Sequence, residues 1–374
     1  MKENRHRRAL RVLISGGGTG GHIFPALSIA DAVKREYPGS EILFVGAENR
    51  MEMQRVPAAG YDIIGLPVAG FDRKHLWRNI AVLVKLFRSM RMARRVVTDF
   101  RPDVAVGVGG YASGPTLKAA QRAGVPTVLQ EQNSYAGVTN KLLAKGASAI
   151  CVAYPGMEKF FPADKIVMTG NPVRKALFTV QATQEEAKKE LGFDAKKPLV
   201  FVTGGSLGAR TLNQAMIEAI NIGEAGRVRF QMLWQCGARD HERCVAAVGD
   251  RLPANVQLTE FVTDMPLVYR AADLVVARAG AGTISELEDL GKPAILVPSP
   301  NVAEDHQRHN AEALAQRGAA DMVLDADAPE RLWPEICTIA GNSETLRLLS
   351  ENISKMALRD SDVRIVEAIA EVAR

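Results

Sequence analysis

Residues 11–27 read RVLISGGGTGGHIFPAL. The first five, Arg11–Ser15, are β-branched and apolar enough to predict a short strand. The glycine run at 16–21 cannot continue that strand, and from Pro25 to residue 36 the apolar residues recur at helical spacing. Strand, glycine loop and helix together form the opening unit of a parallel α/β sheet. Working outward, strands are predicted at 41–45, 103–108 and 127–129, with a helical stretch at Ser113–Arg122 between the last two. The construction then restarts: 198–203 (PLVFVT) is a strand, 204–208 (GGSLG) a glycine loop, and 212–220 the beginning of a helix. Strands at 273–277 and 294–297 extend a second sheet, and residues 363–372 carry an apolar helical stripe at Ile365, Ile369 and Val372.

Two such halves suit 374 residues, because compact domains run to roughly 100–200 residues each. The run GNPVR at 170–174 supplies the hinge, since proline fixes its own φ and keeps the residue before it out of the helical region. The expected domains are therefore 1–171 and 172–350, with a C-terminal helix at about 351–374 packing back on the first. Neither low-complexity sequence nor a short-period repeat interrupts them.

The composition, 47% hydrophobic and 24% charged, is that of a globular chain with an ordinary core. Cys151, Cys236, Cys244 and Cys337 show neither CxxC pairing nor histidines at zinc spacing, so no metal site is expected and the thiols read as reduced and structural. The basic start, MKENRHRRALRVLIS, runs into a glycine loop instead of a cleavage site, which argues against a secretory signal. No apolar run reaches the roughly 18–20 residues that a membrane-spanning helix needs, so any membrane contact should be peripheral. A net charge of +5 suits an anionic partner, phosphate-bearing or a lipid surface.

Three constellations carry candidate chemistry. Gly16, Gly18 and Gly21 satisfy GxGxxG after a strand, a pattern whose backbone N–H groups attract phosphate. A dinucleotide-binding reading would place the ribose on Glu48, and a set of tight turns without a ligand is the plain alternative. The second is RAGAGTISE at 278–286, which again follows a strand and opens a helix. Glu286, one turn inside it, could accept both hydroxyls of a ribose whose phosphates lie at the helix start, or could merely complement the helix dipole. The third is EDHQRHN at 304–310, beyond a Pro-Ser-Pro turn; Gln307 could both donate to and accept from sugar hydroxyls, or cap the helix that follows.

Taken in order, GGGTGGHIFPAL at 16–27, GGYASGP at 109–115, EQNSYAGVTNKLLA at 131–144, GNPVR at 170–174, GGSLGARTLN at 204–213 and the 278–286 and 304–311 runs closely resemble the MurG family. That resemblance spans nearly the whole chain. It implies an α/β GT-B glycosyltransferase fold, two Rossmann-like domains with parallel sheets facing across a cleft. It also implies transfer of N-acetylglucosamine from UDP-N-acetylglucosamine to undecaprenyl-pyrophosphoryl-muramoyl-pentapeptide, with inversion, to give the β-1,4-linked disaccharide lipid of peptidoglycan. Neither a cofactor nor a metal is implied, and nucleic acid is not a partner. Other cell-wall synthesis proteins are possible partners, and the implied location is peripheral, on the cytoplasmic face of the bacterial plasma membrane.

Carried onto this sequence, the resemblance puts the uridine ribose on Glu286, uracil on the backbone near Val262, and the diphosphate on Ser206 and the backbone of Ala281, Gly282, Thr283, Ile284 and Ser285, with Arg278 among the donor-binding residues. Gln307 would meet the sugar, with Asn133, Arg174, Thr19, Gly20 and Gly21 completing the donor contacts. The acceptor, with its lipid pyrophosphate, would lie against Gly18, Thr19, Gly20, Gly21, His22, Tyr111 and Asn133, which moves the first glycine loop from nucleotide to lipid pyrophosphate. Direct displacement needs a base and a means of stabilising charge on the departing diphosphate. His22, whose ordinary pKa of about 6.5 suits proton transfer, is the expected base, with Glu131 as its rival. The stretch 71–95 mixes Leu76, Trp77, Ile80, Leu83 and Phe87 with Arg73, Lys74, Arg78, Lys85, Arg88, Arg91, Arg94 and Arg95, which suits an anionic lipid surface and equally an ordinary amphipathic helix. The rivals are a UDP-sugar enzyme with another lipid acceptor, an NAD-dependent oxidoreductase, and a non-catalytic nucleotide-sugar-binding module.

Overall fold

The structure, a computed structural model, describes residues 8–18, 20–68 and 79–373. Thr19 and the 71–78 part of the basic-apolar stretch, with Arg73, Lys74, Leu76, Trp77 and Arg78, lie outside the described residues. The chain divides into two compact units, Met1–Val173 with Leu358–Arg374, and Arg174–Ala357.

In the first unit the order is β1 (Arg11–Ser15), α1 (Gly20–Glu36), β2 (Glu41–Ala47), α2 (Glu52–Ala58), β3 (Asp62–Leu66), α3 (Asn79–Phe100) and β4 (Val104–Gly107). It continues through α4 (Ser113–Arg122), β5 (Thr127–Glu131), α5 (Val138–Leu143), β6 (Ala149–Val152) and β7 (Ile166–Met168). The second unit holds α6 (Gln184–Glu190), β8 (Leu199–Thr203), α7 (Arg210–Asn221), β9 (Gln231–Gln235), α8 (His241–Val248), β10 (Val256–Thr259) and α9 (Met265–Ala271). After these come β11 (Leu274–Ala277), α10 (Ala281–Leu290), β12 (Ala294–Leu296), α11 (His306–Ala315), β13 (Asp321–Met322), α12 (Ala328–Ala340) and α13 (Ser343–Ser354). The last helix, α14 (Ser361–Val372), returns to the first unit.

Both sheets are parallel throughout, ordered β3-β2-β1-β4-β5-β6-β7 and β10-β9-β8-β11-β12-β13. Each winding reverses direction once, between β1 and β4 in the first sheet and between β8 and β11 in the second. At such a reversal the loops beyond the carboxyl ends of the two strands splay apart and leave a crevice for ligand. That places the candidate loops at 16–18 and 108–112 in one unit and at 204–209 and 278–280 in the other.

The central strands are buried on both faces, which is why they read as continuous apolar runs. Val12 and Ile14 pack under α1 and α14 with Ile29, Val33, Ile365 and Ile369, while Leu13 packs on the opposite face with Ala93, Val97 and Leu117 from α3 and α4. In the second unit Val200 and Val202 meet Leu212, Met216, Trp234 and Ile336. At Gly170, φ is +80° and a Cβ would lie 2.5 Å from Ser361 Oγ, so the chain can leave β7 beneath the start of α14 only as glycine.

Helix α1 starts at Gly20, five residues before the predicted Pro25, so His22 belongs to its first turn and not to the loop. The proline is accommodated because only the early Gly21 carbonyl loses its helical donor.

Candidate functional site

In the first unit the two loops at the sheet reversal meet backbone to backbone. A Cβ on Gly110, where φ is +85°, would lie 2.4 Å from the Gly17 carbonyl oxygen. Ser113 Oγ ties the loops together, donating within reach of both Ser15 O (2.7 Å) and Gly109 O (2.8 Å). The His22 ring lies over Gly109, whose missing Cβ would sit 2.9 Å from its Nε2, and His22 Nδ1 stands 3.1 Å from Gly17 O. A ring nitrogen facing a carbonyl must carry the proton, so Nδ1 is the donor and Nε2 the basic nitrogen in neutral imidazole. The N–H of Gly18, in contrast, faces inward: both oxygens of the buried Glu52 accept it at 3.1 Å. That donor is engaged below the loop, so any contact of Gly18 with a ligand would use another of its atoms.

Glu131 is the second candidate base. It ends β5 at 2% exposure, and four N–H groups surround its carboxylate: Asn133 N (3.1 Å) and Asn133 Nδ2 (3.2 Å) on Oε1, Gly137 N (3.0 Å) and Asn140 Nδ2 (2.9 Å) on Oε2. Burial raises its pKa, against the opposing pull of those donors. A carboxylate enclosed in this way holds the 131–140 loop. Asn133 is thereby set in place, and Asn171 is locked beside it, donating to Gln132 O (3.0 Å) and accepting from Gln130 Nε2 (2.9 Å). Tyr111 projects from the neighbouring loop with its side chain 57% exposed.

In the second unit Glu286 lies on α10, its side chain 12% exposed. Arg174 Nε donates to its Oε1 at 2.7 Å, and the hydroxyl of Tyr269 donates to Oε2 at 3.3 Å. Burial, then the nearby carboxylate, pushes the Tyr269 pKa upward, so this hydroxyl stays a donor. Arg174 also borders a cavity of about 440 Å³ whose far wall is Thr263, Asp264, Met265 and Pro266. Gln235, 1% exposed, couples three loops: Nε2 reaches Thr203 Oγ1 (3.1 Å) and Gly205 O (3.0 Å), while Oε1 accepts Val262 N–H at 2.9 Å. The Val262 N–H is thereby already engaged within the fold.

The start of α10 has Gly280 as N-cap with no side chain bonded to it, and Gly282 opens onto space where a Cβ would meet nothing within 4 Å. The N–H groups of Ala281, Gly282 and Thr283 thus form an end suited to an anion, while Ile284 and Ser285 are buried on its inner side. Ser206 is exposed on the opposing glycine loop. Arg278, just before that helix, is held by protein partners. Its guanidinium donates to Val297 O (3.1 Å), approaches Thr211 Oγ1 (3.3 Å) and pairs with Asp325 (2.5 Å), so its charge is spent fastening the ends of β11 and β12. Gln307 accepts Ser299 N–H at 2.8 Å through Oε1, an arrangement that fixes its NH₂ as the group able to donate outward. Glu304 and Asp305, both at positive φ (+56° and +50°), bend the chain sharply into α11.

The glycosyltransferase family 28 N-terminal domain matches residues 12–152, and the family 28 C-terminal domain matches 199–365. A Bacteroides fragilis protein described as UDP-N-acetylglucosamine–N-acetylmuramyl-(pentapeptide) pyrophosphoryl-undecaprenol N-acetylglucosamine transferase is 58% identical over 368 residues, 98% of this chain and 96% of that one. A Porphyromonas gingivalis protein of the same description is 51% identical over 373 residues, covering 100% and 98%. The crystal structure of Acinetobacter baumannii MurG covers 97% of this chain and 99% of its own at 28% identity, with a TM-score of 0.77. The chain belongs to the MurG family. A UDP-N-acetylglucosamine 2-epimerase from Neisseria meningitidis, at 15% identity and a TM-score of 0.64 over 97% of this chain, shares the fold alone.

For a MurG-family chain with a GT-B fold, the residues that sequence reasoning passed over are the ones that hold the loops. Glu52, Gln235 and Asp325 are buried or half-buried polar groups bonded to backbone or to another side chain far along the chain. No local motif marks them, and a polar residue at the end of an apolar strand, as in Gln235, was the one available cue.

Proposed function

We propose that this chain transfers N-acetylglucosamine from UDP-N-acetylglucosamine to undecaprenyl-pyrophosphoryl-muramoyl-pentapeptide, making the β-1,4-linked disaccharide lipid of peptidoglycan. The near-full-length identity to relatives described by that reaction carries the reading. The second unit takes the donor: Glu286, pre-oriented by Arg174 and Tyr269, accepts the ribose hydroxyls, and uracil pairs at the Val262 carbonyl beside the Thr263–Pro266 wall. The diphosphate lies between Ser206 and the N–H groups that open α10, whose dipole takes up charge as UDP departs. Gln307 donates to the sugar.

The first unit takes the acceptor, with its pyrophosphate at the N–H groups of Gly20 and Gly21 and with Tyr111 and Asn133 beside it. His22 Nε2 removes the proton from the acceptor hydroxyl as that oxygen attacks the anomeric carbon, and the UDP oxygen leaves with the electron pair of the old bond. Protein N–H groups and helix dipoles supply the stabilisation, and the reading includes no metal step.

Peripheral work at the cytoplasmic face of the plasma membrane is part of the same proposal. Helix α3 begins beyond the carboxyl end of β3, on the edge that carries the acceptor loops. Its latter half buries Ala93, Val96 and Val97. Over the preceding turns Leu83 (55%), Val84 (57%) and Phe87 (72%) are exposed among Lys85, Arg88 and Arg91. Apolar groups with no core to enter, interleaved with cations, favour an anionic lipid surface over a solvated helix face. Among the described residues no helix is long and apolar enough to cross a membrane.

The test is UDP release from UDP-N-acetylglucosamine in EDTA, with and without a short-chain analogue of the lipid acceptor. Acceptor-dependent release is expected. Binding of UDP without any release would overturn the transferase reading.

A further inference from the structure

Glu52 is 1% exposed, and among the described residues no cation pairs with it. Its partners are backbone N–H groups: Gly18 at 3.1 Å to each oxygen, and Ala47, at the end of β2, at 3.0 Å to Oε1. Space has been cleared around it, for a Cβ on Gly17 would lie 2.1 Å from its Oε1 and one on Gly46 would lie 2.6 Å from its Cγ. Burying a carboxylate is costly and adds nothing to the packing of α2 that an apolar residue would not do better. What the carboxylate alone can do is accept the Gly18 N–H from beneath the loop.

We propose that Glu52 is the positioning residue of the acceptor loop. By drawing Gly18 N–H inward it holds Gly18 at φ +89° and Gly17 with its carbonyl at His22 Nδ1. Gly20 and Gly21 open α1, where their N–H groups have no intrahelical acceptor, and there the diphosphate of the acceptor is received. One buried side chain thus sets two things at once, the anion-binding end of α1 and the tautomer of His22. Without it the Gly18 N–H would seek water, the loop would relax, and neither would remain in place. The inference rests on the acceptor reading given above.

The experiment uses the full chain and two substitutions. Glu52→Gln keeps the size of the side chain but puts an NH₂ group in place of one of two oxygens that each lie 3.1 Å from Gly18 N, so in either orientation a donor faces the Gly18 N–H. Gly17→Ala leaves Glu52 intact and forces its carboxylate aside. For each, kcat and KM are measured against the short-chain acceptor analogue, with Kd for UDP and Tm alongside. Both substitutions are expected to lower kcat/KM for the acceptor by about tenfold or more, a displacement of about 1 Å being enough for up to a hundredfold. The Kd for UDP should stay within about twofold, because the donor residues belong to the other unit. The double variant should lose little beyond either single one, since both remove the same contact. A Glu52→Gln protein with acceptor kinetics near wild type would overturn the proposal, as would acceptor kinetics and UDP affinity falling together with Tm. Failure of the parent reading is separate, since the wild type itself would then show no acceptor-dependent release.

Discussion

Replacing Glu131 by glutamine separates a structural carboxylate from a catalytic one. Two N–H donors converge on each of its oxygens. Glutamine can satisfy one pair with its carbonyl, but it presents an NH₂ to the other pair and leaves two buried donors without an acceptor. At about 1–3 kcal/mol for each unsatisfied buried group, the cost is about 2–6 kcal/mol. For a unit of this size each kcal/mol shifts Tm by about 2–4 °C, so the first transition should fall by roughly 5–20 °C. Differential scanning calorimetry reads that shift, and turnover is measured well below the lowered transition. The kcat per folded molecule should then fall less than about tenfold, whereas loss of a general base costs about 10²–10⁴. A variant with unchanged Tm and a hundredfold lower kcat would refute the clamp and return Glu131 to the role of base.

Three further outcomes follow from the same geometry. His22→Ala should lower kcat by about 10²–10⁴ while the Kd for UDP, read by calorimetry, stays near wild type; turnover close to wild type would remove it as the base. Glu286→Ala should weaken UDP binding by about 10–100-fold, the range for losing a charge-assisted hydrogen bond, and Arg174→Ala should do so to a smaller degree because it only orients that carboxylate. Equal affinity in Glu286→Ala and wild type would take the ribose elsewhere. Phe87→Glu should reduce sedimentation with anionic vesicles and raise KM for a long-chain lipid acceptor while leaving the short-chain analogue unaffected. Retention equal to wild type would exclude this face of α3 from the contact.

Features that depend on near neighbours in the chain were legible from the residues alone. A β-branched run closed by glycine gave the bounds of β1, because strand termination there is a local steric matter, and the stretch read as helical at 113–122 is α4. The motifs around the glycine loops pointed to the family, since a loop that brings backbone close to phosphate tolerates few substitutions. Strands that carry polar or glycine residues, such as β3 (DIIGL) and β9 (QMLWQ), were not predicted, because what holds them is burial by flanking helices and not their own propensity.

The direction in which each polar group faces was decided only by tertiary contacts. Gly18 belongs to a phosphate-loop pattern, yet its N–H is claimed from below by a carboxylate 34 residues on. Glu131 and Arg278 sit inside the motifs themselves, but neighbouring donors enclose the first and Asp325 and Val297 hold the second. Residue type and spacing determine which groups can bind a ligand. Whether a buried neighbour has already taken their hydrogen bonds is a property of the packed fold, where an unpaired polar group is costly and partners are drawn from anywhere in the chain.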